Sequence, residues 1–334
     1  MEIFRSLVDV PSGFGPSAVA IGKFDGVHAG HRRVIAELEG IAADRGLTAV
    51  AVTFDRHPLA LLNPASCPAP LVSNDQKLEL LGEAGLDATL MVTFDRAFSE
   101  LSPVDFVTDI LVDALHAKIV MVGGDFRFGA RGAGTVDTLR ELGRESGFDV
   151  VLVDDVSVKE FTASDIGDRR RASSTWIREL LADGRIAEAT TLLGHLPSIR
   201  STVVPGVQRG RELGYPTANL SPEIEGFIPA DGVYAAWLDV EGTRYGTAVS
   251  IGNNPTFEGV PDKQVEAHVL DASIDLYGKS VELSFVGYIR AMVKFASADE
   301  LVVQMNLDER KIRALLGYPS VGAAGTSSGS GPLP

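Results

Sequence analysis

The apolar positions change their rhythm part-way along the chain. In the first half, short unbroken apolar runs alternate with stretches where apolar residues recur every three or four positions. The runs are Ser17–Ile21, Ala49–Phe54, Ala88–Val92, Lys118–Val122 and a shorter one, Val150–Val153. Unbroken runs of this length read as strands buried on both faces. The intervening stretches carry helix start signals. Ser73-Asn74-Asp75-Gln76 is a capping box ahead of Leu78, Leu80 and Leu81. Ser102-Pro103 puts proline at a first helical position. A further helix is expected to begin near His28–Ala29 and to run through Val34, Ile35 and Leu38. Strands alternating with helices predict a Rossmann-like α/β fold with a parallel, doubly wound sheet. Ligands of such sheets sit outside the carboxyl ends of the strands.

One helix follows Ser173-Ser174-Thr175 through Ile177, Leu180 and Leu181, and "ADGRIAEATTLLG" forms another that stops at Gly194. After that the period falls to two. Thr202–Val204, Val233–Val240, Gly246–Ile251, Gln264–Leu270 and Ser280–Val286 read as strands joined by turns, with "LYGK" a hairpin turn. Successive strands without helices predict a small antiparallel β-barrel or sandwich. The capping box Ser297-Ala298-Asp299-Glu300 opens a closing helix carrying Leu301, Met305, Ile312 and Leu315. The expected division is a domain over 1–186, a second over 187–318 and a flexible tail over 319–334.

Composition narrows the partners. With 45 acidic and 30 basic residues the formal net charge is −15, which opposes broad binding to nucleic acid or an anionic membrane. A single cysteine, Cys67, excludes a disulfide framework or a cysteine zinc site within one chain. The start, MEIFRSLVDVPSGFG, lacks a basic lead and an apolar core, and no run approaches the roughly 18 apolar residues of a membrane span. A soluble cytoplasmic protein is expected, with no nucleic-acid or membrane partner and with homo-oligomerisation left open.

Candidate chemistry concentrates in "IGKFDGVHAGH", Ile21–His31. The glycines allow a tight turn and close approach of backbone to a ligand. The following helix start offers N–H groups and partial positive charge. His28 and His31, at i and i+3, share one side of the first turn. A phosphate is the natural guest. A metal would need a third ligand and an i, i+4 pair or an intervening acid, which the motif lacks; a structural histidine pair is the plainer alternative. In "VVPGVQRGRELGYPTANL", Val203–Leu220, glycines alternate with arginines in a manner suited to polyphosphate. If extended, Thr217 and Asn219 face one way and offer hard oxygen donors for Mg²⁺; a proline turn is the alternative. In "QVEAHVLD", Val265, Ala267 and Val269 take one strand face and Glu266 and His268 the other. Glu266 is then either a general base or a solvent-facing carboxylate. The run Arg169-Arg170-Arg171 is a solvated patch or an electrostatic attractor of the phosphate guest.

"GxFDGxH" with "HxGH" resembles the nucleotidyltransferase superfamily. Together with "TFDRHP", "VGGDFRFGARGAG" and "SSTWIREL", it resembles the FMN adenylyltransferase half of the bacterial bifunctional riboflavin kinase/FAD synthetase family. "VVPGVQRGRELGYPTANL", "ADGVYAAWLDV", "SIGNNPTF" and "QVEAHVLD" resemble its riboflavin kinase half, so the likeness covers about residues 15–316. The resemblance implies two activities: phosphorylation of riboflavin by ATP to FMN and ADP, then adenylylation of FMN by ATP to FAD and pyrophosphate, with Mg²⁺ as cofactor. It implies that Gly22, Phe24, Asp25, His28, Gly30 and His31 contact ATP, that Ser174, Thr175 and Arg178 reach its phosphates, and that His28, His31 and Arg178 serve the transfer. It implies that Asp125, Phe126 and Phe128 hold flavin, although a core face is the alternative for the two rings. In the kinase half it implies Gly206 and Gly210 at the nucleotide, Thr217 and Asn219 as Mg²⁺–ATP ligands, Glu266 as base and Arg290 at the flavin. His57 is a ligand contact or a capping or core histidine; His116 and His195 have no role beyond structure. Ser201, Pro205 and the "LGHLPSIRST" linker depart from the family pattern. Those departures motivate a monofunctional alternative; a flavin or nucleotide carrier is disfavoured by retention of Glu266 with both histidines.

Overall fold

Every apolar run of the first half forms a strand, and one more was not foreseen. The strands are β1 (Glu2–Phe4), β2 (Ser17–Ile21), β3 (Thr48–Phe54), β4 (Ala88–Val92), β5 (Ala117–Gly123) and β6 (Asp149–Val153). They make one sheet in the order β1-β4-β3-β2-β5-β6, with every pair parallel. The chain steps from β2 to β3 to β4 in one direction, then returns so that β5 lies on the other side of β2. The strand order therefore reverses beside β2, and the crevice of an open α/β sheet lies at such a switch point. Alternate residues of β2 feed two cores: Val19 and Ile21 join one cluster and Ala18 and Ala20 the other. β1 has only three residues and a single buried side chain, Phe4, too little for a periodic signal.

The computed structural model describes residues 1–153, 172–206, 215–252, 263–272 and 274–318. Gly210, Arg169-Arg170-Arg171, the NNPTF of "SIGNNPTF" and the 319–334 tail lie outside the described residues.

The helices follow their caps. α1 (Ala29–Arg45) starts from His28 and stops at Gly46, whose φ of 64° suits a residue without Cβ. α2 (Pro58–Leu62) is capped by His57, and α3 (Asn74–Glu83) by both halves of the Ser73/Gln76 box. α4 (Arg96–Ser99) and α5 (Pro103–Asp105) are short, and α5 runs directly into a π-wound turn over Phe106–Ala114. α6 (Val136–Ser146) packs beside it.

Contacts divide the chain into two compact units, Met1–Ser174 and Thr175–Pro334. The second contains nearly all of α7 (Ser174–Ala182) and all of α8 (Ile186–Leu193). These pack with the barrel: Ala230 N–H donates to the Leu181 carbonyl at 2.9 Å, and a Cβ on Gly184 would lie 3.1 Å from the Tyr288 ring. The strands β7 (Ser198–Val204), β8 (Ala218–Leu220), β9 (Gly232–Val240), β10 (Thr243–Gly252), β11 (Gln264–Val269) and β12 (Ser280–Arg290) form a closed barrel in the order β10-β11-β8-β7-β12-β9. Closure removes exposed sheet edges. α9 (Ala298–Leu316) lies on it, with Ile312 and Leu316 in a cluster with Val233, Ala235 and Leu270. Leu315, expected on the apolar face, is 52% exposed. Helical geometry puts residue 316, not 315, in line with 301, 305, 308 and 312.

Candidate active sites

At the carboxyl end of β2 the chain turns through Gly22–His28. Phe24 (φ 48°) and Val27 (φ 37°) hold left-handed backbone, which side chains disfavour and β-branched ones most of all. Both residues are buried. The Phe24 ring meets His31 edge-on at 5.2 Å, and the His28 and His31 imidazoles stack with centroids 3.7 Å apart and planes 18° apart. The two histidines thus form one plate at the start of α1, with His28 only 7% exposed. A Cβ on Gly30 would come within 3.1 Å of the His28 ring, and one on Gly22 within 3.1 Å of the Phe24 ring. These glycines make room for the rings of the motif itself. The Asp25 carboxylate accepts from Leu71 N–H at 2.9 Å, and the Asp25 carbonyl accepts from the Ser174 hydroxyl at 3.0 Å. Ser174 is therefore brought to this loop. Thr175 is exposed and Arg178 half-buried on α7, in the second unit.

Beside the loop, α3 ties down the end of β3. Lys77 is 7% exposed, and its ammonium donates to the Phe54 carbonyl at 2.6 Å. Burial pushes this ammonium down to about 8, against the pull of Asp25 and Asp55. Burial pushes the Asp55 carboxyl up, but the Arg56 guanidinium and the Phe94 N–H outweigh it and hold the group below its usual range. Past Phe54 opens a cavity of about 570 Å³ walled by Phe54, Phe94, Phe98, Phe106, Phe126 and Phe128. Phe126 and Phe128 stack at 5.5 Å with planes 13° apart. Phe128 also belongs to the sheet core and Phe126 packs against it, so the pair takes the core face while also lining the cavity. Asp125 is exposed and stands outside this lining.

In the barrel, β8 pairs antiparallel with β11 and sets Asn219 opposite Glu266. Thr217 Oγ1 lies 3.4 Å from Glu266 Oε2. His268, on the same face as Glu266, donates from Nδ1 to the Pro216 carbonyl at 2.8 Å, which fixes the segment carrying Thr217. A Cβ on Gly206 would fall 2.0 Å from Asn219 Nδ2, so any side chain there would have to displace the Asn219 amide. Two cavities flank this wall. One of about 510 Å³ is lined by Ala218, Ala267, Val269, Leu276 and Tyr277. The other, about 400 Å³, is lined by Glu266, Arg290, Met292, Phe295 and Met305. Thr217 borders both. Arg290 donates from Nε to Asp308 at 2.8 Å, Gln304 donates to the other Asp308 oxygen at 2.8 Å, and the Arg290 guanidinium lies 5.6 Å above the Phe295 ring. Asp308 is 4% exposed. Ser201 is buried and its hydroxyl lies 3.1 and 3.2 Å from the Ser221 and Glu223 carbonyls, so its one O–H donates to either of two backbone acceptors.

Among the described residues no cluster of three or more His, Cys, Asp or Glu side chains is placed to hold a metal. The oxygen set of Thr217, Asn219 and Glu266 contains one carboxylate. That suits an ion whose remaining ligands are nucleotide phosphates and water. Among the described residues no helix is long and apolar enough to cross a membrane.

The FAD synthetase family matches residues 12–165 and the riboflavin kinase family residues 193–316. A bifunctional riboflavin kinase/FMN adenylyltransferase of Escherichia coli K12 is 39% identical over 90% of this chain and 92% of its own. One of Listeria monocytogenes is 36% identical over 89% of this chain and 91% of its own. The chain belongs to the bifunctional riboflavin kinase/FMN adenylyltransferase family. A crystal structure described as a macrolide-efflux protein from Streptococcus pneumoniae shares the fold, with a TM-score of 0.80 and 30% identity over 93% of this chain and 98% of that one.

Sequence reasoning missed several residues around the sites of this riboflavin kinase/FMN adenylyltransferase family member. Phe54 and Phe94 had a readable sign, because "VTFDR" occurs twice, at Val52–Arg56 and Val92–Arg96. β3 and β4 are neighbours in the sheet, so the repeat brings two rings together at 5.6 Å. Lys77, Gln304 and Asp308 carry no sign of that kind. Each looks like an ordinary polar residue on a helix until the fold buries it or turns it inward.

Proposed function

We propose that the barrel half phosphorylates riboflavin with ATP, giving FMN and ADP, and that the parallel-sheet half transfers AMP from ATP to FMN, giving FAD and pyrophosphate. The observation that carries the kinase reading is the Glu266 carboxylate 3.4 Å from Thr217 Oγ1 where two cavities share one wall. A kinase needs two substrates meeting at a base. Riboflavin occupies the side of Met292, Phe295 and Met305, with Arg290 held by Asp308 at its edge; ATP occupies the side of Ala218 and Tyr277. Glu266 takes the proton of the flavin's primary alcohol as that oxygen attacks the γ-phosphorus. Thr217 and Asn219 would hold Mg²⁺, which would neutralise phosphate charge.

In the sheet half, the stacked His28 and His31 lie at a helix start, where N–H groups and the helix dipole favour phosphate. Their N–H groups hold the ATP phosphates and stabilise charge on the α-phosphate and the departing pyrophosphate. The flavin ring of FMN lies among the phenylalanines of the aromatic cavity. Both transfers proceed by positioning and charge stabilisation.

Incubation with riboflavin, ATP and Mg²⁺, followed by chromatographic separation of FMN and FAD, tests both activities. Absence of both products removes the kinase assignment, and supplied FMN left unconverted removes the adenylyltransferase assignment. Glu266→Ala should stop FMN formation and spare conversion of FMN to FAD, and His28→Ala should do the reverse. Loss of both activities from either substitution in a folded protein contradicts two separate sites.

A further inference from the structure

The loop after β2 and the turn after β3 meet at a pair of side chains that the sites above do not use. β2 and β3 are parallel neighbours with Ile21 opposite Val52, so the segments following them run side by side. The Thr53 hydroxyl donates to the Lys23 carbonyl at 3.1 Å and joins them. Across this junction Lys23 Nζ stands 3.3 Å from His57 Nε2.

The hydrogen bonding of His57 decides what that contact is. Leu59 N–H donates to His57 Nδ1 at 3.1 Å, so Nδ1 carries the lone pair. The proton of the neutral ring is then on Nε2. An ammonium has donors only. Lys23 and His57 thus present N–H groups from two separate segments to one place, and one of them is charged. Convergent donors with a positive charge are the recognition chemistry of a phosphate oxygen.

The surroundings specify which phosphate. His57 lies between Phe54 and Pro58, both of which line the aromatic cavity. Lys23 lies between Gly22 and Phe24 in the loop that leads to Asp25 and His28. The donor pair therefore stands between the cavity assigned to the flavin ring and the loop assigned to ATP. In FMN adenylylation the group that must occupy this position is the acceptor's own phosphate, because its oxygen attacks the nucleotide.

We propose that Lys23 and His57 bind the 5′-phosphate of FMN and aim it at the α-phosphorus of ATP. This rests on the reading of the sheet half as an FMN adenylyltransferase. One FMN phosphate oxygen forms the new P–O bond. The bond from the α-phosphorus to the oxygen bridging to the β-phosphorus breaks, and pyrophosphate leaves with that electron pair. Four negative charges on ATP and two on FMN become four on pyrophosphate and two on FAD, so the step needs no proton from the pair. Lys23 and His57 keep their protons throughout and act by holding the nucleophile.

The test uses the full-length protein supplied with FMN, ATP and Mg²⁺. Lys23→Met keeps the stem and removes the charge. His57→Asn removes the Nε2 donor and keeps a side-chain oxygen able to cap α2. Each variant should raise KM for FMN by about tenfold or more, the scale of a lost charge-assisted hydrogen bond. KM for ATP should stay within about twofold by the same reasoning, and Lys23→Arg should restore much of the loss. Conversion of riboflavin to FMN by the same preparations should be unchanged, and the unaltered KM for ATP in adenylylation, with amide-exchange protection of β2 and β3 like that of wild type, shows that the sheet half is folded. Direct binding separates the phosphate from the ring: in the sheet half, affinity for FMN should fall and affinity for riboflavin should not. A rise in KM for ATP alone, or equal rises for both substrates, would assign the pair to ATP phosphates and overturn the proposal. Unchanged FMN kinetics in both variants would overturn it as well. Wild-type protein that makes no FAD from FMN and ATP would instead refute the adenylyltransferase reading on which it rests.

Discussion

Replacing Lys77 by methionine isolates the energetics of a cation held beneath the nucleotide loop. The side chain is 7% exposed, and burial lowers its ammonium from the ordinary 10.5 to about 8. At about 1.4 kcal/mol per tenfold change, that difference disfavours the charged form by about 3 kcal/mol in the folded state. The sign follows from proton counting. Between pH 8 and 10.5 the unfolded chain still holds the lysine proton and the folded chain has released it. Stability therefore rises with pH through this window and carries the full penalty below it. The thioether of the Lys77→Met variant would have no proton to exchange. Losing the donor to the Phe54 carbonyl would cost about 1–3 kcal/mol, but that loss is the same at every pH. The stability of wild type minus that of Lys77→Met should accordingly climb by about 2–3 kcal/mol between about pH 7 and 10. Both tryptophans, Trp176 and Trp237, belong to the second unit, so their fluorescence is the wrong probe. Amide exchange in peptides covering β3 and α3, corrected for the unfolded-chain rate at each pH, reports the correct region. Parallel pH curves for the two proteins would refute a buried, titrating Lys77.

Other substitutions read out the two sites separately. Gly206→Ala would push a Cβ to 2.0 Å from Asn219 Nδ2; displacing a ligand-holding side chain by about 1 Å should lower riboflavin phosphorylation by about 100-fold and leave adenylylation intact, as initial rates of FMN and FAD formation would show. Asp308→Asn removes the charged partner of Arg290 and should raise KM for riboflavin about tenfold, with KM for ATP unchanged. Phe126→Ala removes one of two stacked rings and should weaken FMN binding to the sheet half by about tenfold, the upper range for an aromatic contact; FMN titration of the protein measures it.

Much of this molecule was legible because burial and capping write themselves locally. The runs at Ala88–Val92 and Ser17–Ile21 gave both strand bounds without adjustment, since a strand buried on both faces reads as a near-continuous apolar run. Ser73 and Gln76 announced α3 for an equally local reason. β8 escaped notice because three residues after a proline turn show no period, although its pairing sets Asn219 opposite Glu266. The capping box at Ser297 formed only in part: Ser297 accepts from Glu300 N–H, while the Glu300 carboxylate takes Ala296 N–H. The π-wound turn at Phe106–Ala114 had no sign either, because its buried Phe106, Val107, Ile110 and Leu111 equally fit an α-helix. In the sites, residue types and spacing pointed to the loop of His28 and His31 and to the strand of Glu266. The wall that joins Phe54, Phe94, Phe106 and Phe128 and the Arg290–Asp308 pair bring together residues from separate elements, which only the folded chain places side by side.

Thr217 faces a cavity on each side of a wall that is one short strand pair thick. A change at this residue alters both cavities at once, so neither can be retuned through it alone. Variation that adjusts one specificity has to enter through side chains bordering a single cavity, such as Leu276 and Tyr277 on one side or Met292 and Phe295 on the other. On the proposed assignment of riboflavin to the second side, directed evolution toward altered flavins would meet its freedom there, with Thr217 held fixed by its share in both cavities.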